Sequence, residues 1–509
     1  MSVYEKSIVA SGHDLVSNAA AEILQSGGNA FDAVVGAGFA SAVAEPGLTS
    51  LGGGGLLVGY CQRQKRTLFY DFFVDTPGRG SENNETEADF FPIQVDFSGS
   101  SQEFNVGLGS VAVPGVLKGL LHTHKQLGRI PLAEVLRPAR ELAAGHILNQ
   151  QQAHFLSLLE PILASTARSK HIYQPDDTHL QAGDMMKNPE MVEFLDRLVA
   201  EGDDCFYLGD IAEKIDREMR ESGGLLTKDD LAAFVVRELA PLSVPYRGRT
   251  FVTASEPSMG GTLIALSLVI GGQLQFGKNR WGSGEHLSSM VGMMREVERQ
   301  RRLGVTDPLS LKRFLKHKEH LDESASQARL FSRGTTHVSV ADSEGNCASM
   351  TCSNGEGSGY IAPETGVMLN NMMGEDELHP NGFHSSPPGE RVLSMMSPSL
   401  LLRGDRVELV IGSGGSKRIR TVISHVITQV VDFDRSLQDA VDEPRLHLDE
   451  DCLQVEPGYK QASVDYVKKI IPVNVWPQKD VYFGGVHAVI PGVEGAGDPR
   501  RGGSVRVVS

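Results

Sequence analysis

Gly334-Thr335-Thr336-His337-Val338-Ser339-Val340-Ala341-Asp342-Ser343-Glu344-Gly345-Asn346-Cys347-Ala348-Ser349-Met350-Thr351-Cys352 is the stretch on which the fold turns. Residues 336–341 alternate with a period of two, the mark of a strand. Asp342 to Asn346 supplies turn residues, and residues 347–352 alternate again. The pattern predicts a β-hairpin whose first strand begins at Thr335. The chain just before it has another texture: residues 285–333 are amphipathic and heavily charged, and read as helix with a solvated face.

Working outward from the hairpin, residues 366–370, 398–403 and 407–411 are expected as strands, and 417–432 as a helix behind a Gly-rich loop. Toward the N-terminus, 14–45 reads as two helices joined at Gly27-Gly28. Residues 57–60 and 67–71 read as a hairpin. The polar stretch 77–105 reads as a surface loop, and 114–240 as mostly helical. A strand is expected at 246–254 and a helix at 262–270.

Composition bounds the function. The chain has 509 residues, with 48 basic and 64 acidic side chains and a net charge of -16. Such acidity argues against a nucleic-acid or anionic-membrane partner. No apolar run reaches the roughly eighteen residues that a membrane-spanning helix needs. The N-terminus lacks the features of a secretory signal, so the expectation is a cytoplasmic protein. The five cysteines, Cys61, Cys205, Cys347, Cys352 and Cys452, have no metal-ligand spacing and read as reduced thiols. The sixteen histidines form no metal-binding cluster with nearby acids, so no metal and no cofactor is expected.

Two local features carry chemistry. A threonine hydroxyl is a weak nucleophile unless a base activates it, and a threonine at a chain terminus can use its own α-amine. That amine has an ordinary pKa of about 7.7–8.0, suited to the task. Chain cleavage between Gly334 and Thr335 would create such a terminus; two ordinary strand threonines are the plain alternative. The second feature is Ile411-Gly412-Ser413-Gly414-Gly415-Ser416 between a strand and a helix. Its backbone N–H groups could hold a tetrahedral oxyanion. A phosphate loop or a tight turn would read similarly, although the Walker spacing is absent.

In order along the chain, these pieces resemble the γ-glutamyltransferase family. The motifs are residues 335–346, Gly366 to Asn371, Met396-Ser397-Pro398 with Gly412 to Ser416, Pro444-Arg445, and Glu456-Pro457-Gly458. In the first half they are residues 19–33, Leu51 to Gly55, Val113-Pro114-Gly115, Gly223 to Leu231 and Gly260-Gly261. The resemblance spans nearly the whole chain. It implies an α+β fold, a four-layer αββα sandwich of the N-terminal-nucleophile hydrolase type. It implies autocleavage at Gly334/Thr335 into a large subunit, 1–334, and a small subunit, 335–509, which stay associated and leave room for a higher oligomer. Thr335 is then the nucleophile, Gly414 and Gly415 form the oxyanion hole, and Ser353 hydrogen-bonds the nucleophile from a position usually held by threonine. Asn354 falls one residue from the family's substrate-contacting asparagine. His337 is expected to face away from Thr335 or to pack beneath it.

The substrate positions depart from the family. Phe73 stands where an arginine grips the glutamyl α-carboxylate, and Val74 replaces its acidic neighbour. Met372 replaces a polar contact, Glu375 a usual aspartate, and one serine of an adjacent pair survives as Ser394 beside Met395. Phenylalanine cannot pair with an anion. The leading expectation is a self-processing threonine hydrolase or acyltransferase for a non-glutamyl acyl group, an amide or an activated C–C bond, with water or an amine as acceptor. The alternatives are a genuine γ-glutamyl enzyme whose carboxylate anchor is supplied elsewhere, with Arg79 and Arg391 as candidates, and an uncleaved non-catalytic homologue.

Overall fold

A computed structural model describes residues 3–80, 87–97, 100–274, 276–317, 334–379 and 381–509. Two antiparallel sheets lie face to face. The first has seven strands in the order Ser504–Val508, Ser7–Ser11, Thr336–Ala341, Cys347–Ser353, Gly54–Cys61, Arg66–Phe72 and Arg237–Leu239. The second has six, in the order Glu494–Gly497, Gly485–Ile490, Arg406–Gly414, Ser399–Arg403, Arg249–Thr253 and Leu242–Tyr246. Helices Asp14–Gln25 and Ala30–Ala44 cover the outer face of the first sheet, and helices Met259–Gln273 and Arg418–Asp432 cover the second. The result is the four-layer αββα sandwich.

Alternation along each strand sorts side chains into these layers. Val338, Val340, Met350 and Cys352 point to the helices and join their core. Ile8, Ala10, Leu56, Val58, Ala341, Leu400 and Val410 fill the space between the sheets. Helix Ala30–Ala44 is buried on every side, as its uniformly apolar sequence requires. Asn29 caps it, accepting from the backbone N–H groups of Phe31 and Asp32, and the Asp32 carboxylate accepts from the N–H of Asn29 in return.

Both sheets mix strands from the two sides of residue 334. Ser7–Ser11 lies between Thr336–Ala341 and Ser504–Val508, so neither segment owns a sheet of its own. The hairpin expected at 336–352 is present, in the register Thr336 opposite Cys352. Two expectations need correction. Residues 91–106, read within a surface loop, form the hairpin Phe91–Phe97 and Ser100–Val106. Residues 366–370 form only isolated bridges. There the Asn370 side chain, donating to the Gly52 and Ala112 carbonyls, does the work of a ladder. Of the charged stretch at 285–333, Gly284–Arg302 and Pro308–His317 are helical, and residues 318–333 lie outside the described residues. Among the described residues no helix is long and apolar enough to cross a membrane, and all five cysteines are free thiols.

Candidate active site

Thr335 lies one residue before Thr336–Ala341, an interior strand of the first sheet, and it is buried. Ser353 closes the partner strand beside it. The Thr335 hydroxyl donates to Ser353 Oγ across 3.4 Å, and the Ser353 hydroxyl donates to the Gly334 carbonyl oxygen. The Gly355 N–H also donates to Ser353 Oγ, at 3.1 Å. One serine thus holds the candidate nucleophile and the carbonyl on the far side of the candidate scissile bond. The Gly334 N–H donates to Glu356 Oε1 at 3.3 Å.

The second sheet reaches the same point through Gly414. A Cβ built there would stand 2.4 Å from the Thr335 carbonyl oxygen, so only glycine permits this approach. Gly415 follows with a positive φ of 125°. From the C-terminal segment Arg501 comes in, its Nη1 donating to the Thr335 carbonyl oxygen at 3.1 Å. From the end of helix Ala30–Ala44 comes Glu45, whose Oε2 accepts from the Thr336 hydroxyl at 3.0 Å. Burial pushes the Glu45 carboxyl up to about 7, while Thr336 and the Arg501 charge pull the other way.

Residues two apart on a strand share a face, so His337 lies on the same side as Thr335 and does not face away from it. Its ring packs beneath the nucleophile position against Gly412, with Nδ1 2.8 Å from Thr351 Oγ1 and Nε2 3.0 Å from Ser339 Oγ. Burial holds its pKa well below the ordinary histidine value, which keeps the ring neutral. Burial also raises the thiols, Cys352 to about 12 and Cys347 well above its usual value, so neither offers a thiolate.

The expected substrate residues divide into groups. Asn354 is buried, and neither atom of its side-chain amide has a hydrogen-bond partner among the described residues. Glu375 is buried, and its carboxylate and the Asn371 amide oxygen both crowd Gly355. The Phe73 ring packs on Gly54, which pairs with Ser353 across the sheet. Met372 shares the apolar cluster of Phe73 between the sheets. Ser394 and Met395 are engaged at the start of helix Met259–Gln273: Ser394 Oγ accepts from the Met396 N–H at 3.1 Å, and Met395 joins the core of the second sheet.

Of the two candidate arginines, Arg391 is already tightly paired and Arg79 only at the limit of an ion pair. Arg391 is buried, with Nε 3.1 Å from Asp71 Oδ2 and 3.2 Å from Asp75 Oδ1, and its Nη1 donates to the Phe73 carbonyl. Arg79 is half-exposed, with Nε 3.9 Å from Asp230 Oδ1.

Glu45, Glu356 and Arg501 were not picked out by sequence reasoning. Glu45 carried a faint signal, as the one acid closing an apolar helix. Arg501 carried another, in the charged run Asp498-Pro499-Arg500-Arg501 before two glycines.

The four-layer αββα sandwich is the fold of the N-terminal-nucleophile hydrolases. The sequence profile described as Gamma-glutamyltranspeptidase matches residues 16–508. The chain belongs to the γ-glutamyltranspeptidase family and is a hydrolase or transferase of that type. It is 29% identical to a glutathione hydrolase proenzyme of Escherichia coli, over 97% of this chain and 90% of that protein. It is 31% identical to an Acylase ACY 1 proenzyme of a Pseudomonas species, over 90% and 85%. Among solved structures, the cephalosporin acylase from Bacillus halodurans superposes with a TM-score of 0.82 at 21% identity, covering 99% of this chain and 96% of that one.

Proposed function

We propose that the protein is a self-processing threonine hydrolase whose acyl substrate is not γ-glutamyl. In processing, Thr335 Oγ adds to the Gly334 carbonyl carbon. The C–N bond breaks as the C–O ester forms, and the hydroxyl proton ends on the released Thr335 nitrogen. Water then cleaves the ester, leaving a Gly334 carboxylate, a restored Thr335 hydroxyl and a free α-amine. The products are residues 1–334 and 335–509, held together by the shared sheets. The observation that carries this reading is Ser353, hydrogen-bonded at once to the Thr335 hydroxyl and to the Gly334 carbonyl. The donated hydrogen bond polarises the carbonyl that Thr335 would attack.

In turnover the Thr335 amine takes the hydroxyl proton as the hydroxyl attacks a substrate carbonyl. Gly414 and Gly415 N–H groups face the developing oxyanion, and water or an amine releases the acyl group. Identities of 29% and 31% to a glutathione hydrolase and an acylase favour neither specificity, so the pocket decides. Phe73 and Met372 lie in one apolar cluster, and Arg391 is already paired with two aspartates. A glutamyl α-carboxylate buried there would lose hydration without gaining a counter-charge. A small uncharged acyl amide fits this chemistry better. N-terminal sequencing of the purified fragments tests the processing half: the small one is expected to begin at Thr335, and a start at Thr336 or an uncut chain overturns it. A panel of γ-glutamyl and simple acyl anilides tests the specificity half.

A further inference from the structure

Thr335 and Thr336 are held from two sides by charged groups to which no role has been assigned so far. Arg501 Nη1 donates to the Thr335 carbonyl, and Glu45 Oε2 accepts from the Thr336 hydroxyl. Arg501 thus grips the carbonyl of the peptide that follows Thr335, and Glu45 holds the side chain of the next residue. The bond that breaks in processing lies on the other side of the Thr335 Cα. Thr335, Thr336, Glu45 and Arg501 are all buried.

The surroundings are built for this contact. Arg501 passes over two bare glycines: a Cβ on Gly485 would meet its stem at 2.4–2.8 Å, and one on Gly414 would meet Nη1 at 3.0 Å. Beneath the loop that carries it, buried ion pairs fix the backbone. Arg500 reaches Glu456 at 2.5 Å and Asp498 at 3.2 Å, and Arg445 pairs with Asp498. Asp498 also accepts from the N–H groups of Val486 and Arg500.

We propose that Arg501 and Glu45 are positioning residues that clamp the Thr335–Thr336 peptide, so that Thr335 keeps its place while its amine is released, and that the Arg501 charge then favours the unprotonated amine. The proposal rests on Thr335 being the nucleophile. A cation within one residue of the new α-amine disfavours its ammonium form, and a carboxylate on the other flank opposes that. A base needs a free lone pair at working pH, so the balance of the two charges sets how much of the enzyme is competent. The other titratable groups around this end of the strand are Glu356, at the Gly334 N–H; Glu375, beside Gly355; and His337, His487 and His13. Burial lowers the pKa of each histidine below its usual value.

The test uses full-length protein in two assays. The first follows chain opening of freshly purified precursor on denaturing gels. Arg501→Met and Thr336→Val are expected to slow it by about tenfold or more. The second measures carbamylation of the Thr335 amine by cyanate against pH, read by the mass of the small fragment, with the large fragment's N-terminus as internal control. Arg501→Met is expected to raise the amine pKa by about one unit, and Glu45→Gln to lower it. A purely structural role would not produce opposite shifts. If Arg501→Met loses its cooperative melt, Arg501→Lys decides with Glu45→Gln: lysine keeps the charge, so the amine pKa should hold while opening slows. Wild-type opening rates with unshifted amines overturn the clamp. A small fragment that does not begin at Thr335 instead overturns the nucleophile assignment.

Discussion

The two sides of the Thr335 site have been treated differently by this sequence. On one side, Ser353, Gly414 and Arg501 converge on Thr335 from two further strands and a C-terminal loop, each joined to it by a hydrogen bond or a close approach. On the other, Phe73 and Met372 fill apolar space between the sheets, and Arg391 is consumed by Asp71 and Asp75. The hydrogen bonds around the Gly334–Thr335 bond are in place, and Phe73 offers no charge to a carboxylate. On the proposed function, reaction type and substrate choice reside in different residues on one scaffold, and each side can be attacked separately.

The largest effect is expected at the nucleophile. Thr335→Ala removes the hydroxyl that the proposed mechanism uses to attack the Gly334 carbonyl, and the protein should stay a single chain on denaturing gels. Two fragments of the wild-type sizes would break the account on its chemical side. Next comes the close approach of the two sheets. Gly414→Val places carbon 2.4 Å from the Thr335 carbonyl and in the path of Arg501. Turnover should fall by about a hundredfold or more, the scale of losing an oxyanion donor, with the fold checked by melting. Normal turnover in a folded variant would remove Gly414 from the site.

A smaller effect sharpens the specificity side. Phe73→Arg should raise the ratio of γ-glutamyl to uncharged acyl anilide turnover by about tenfold, since a charge-assisted pair contributes roughly 1.5–3 kcal/mol. The ratio is the useful quantity, because an arginine in that apolar cluster also perturbs packing. A lowered ratio would mean that another group binds the carboxylate.

The smallest expected effect is on stability. Burial raises the Glu45 carboxyl from 4.5 to about 7 in the folded protein, so the folded chain holds this proton more tightly than the unfolded chain does. The stability it contributes is fully present below about pH 4.5 and is lost as pH rises through about 7. Glu45→Gln lacks this dependence. Its Tm relative to wild type should therefore climb between about pH 5 and about pH 8. A pH-independent difference would mean that Glu45 is not buried as described.

How much of this was legible beforehand depends on the distance over which a signal acts. The 336–352 hairpin and the helices at 14–44 were readable because alternation and helical spacing are local. The hairpin at 91–106 was missed although Phe91, Ile93, Val95 and Phe97 recur at every second place. Its polar neighbours dominated the reading. Residues 366–370 looked like a strand, but the Asn370 side chain takes up the neighbouring backbone carbonyls in place of a ladder. Thr335, Ser353 and Gly414 came from resemblance to a family, with spacing in support. Glu45 and Arg501 carry only faint local signals: they stand 291 residues before Thr336 and 166 after Thr335, and the folded chain brings them together. The apolar character of Phe73 was plain in sequence, whereas the neutralisation of Arg391 by two aspartates required the structure.

The proposed function pairs the Thr335 centre with an acyl-binding side that has no carboxylate anchor at Phe73. The kcat/KM of the processed wild-type enzyme for a γ-glutamyl anilide against an uncharged acyl anilide of similar size tests this pairing. A preference for the uncharged acyl group is expected, by about tenfold or more given the missing bidentate pair. A strong preference for the γ-glutamyl compound would contradict it.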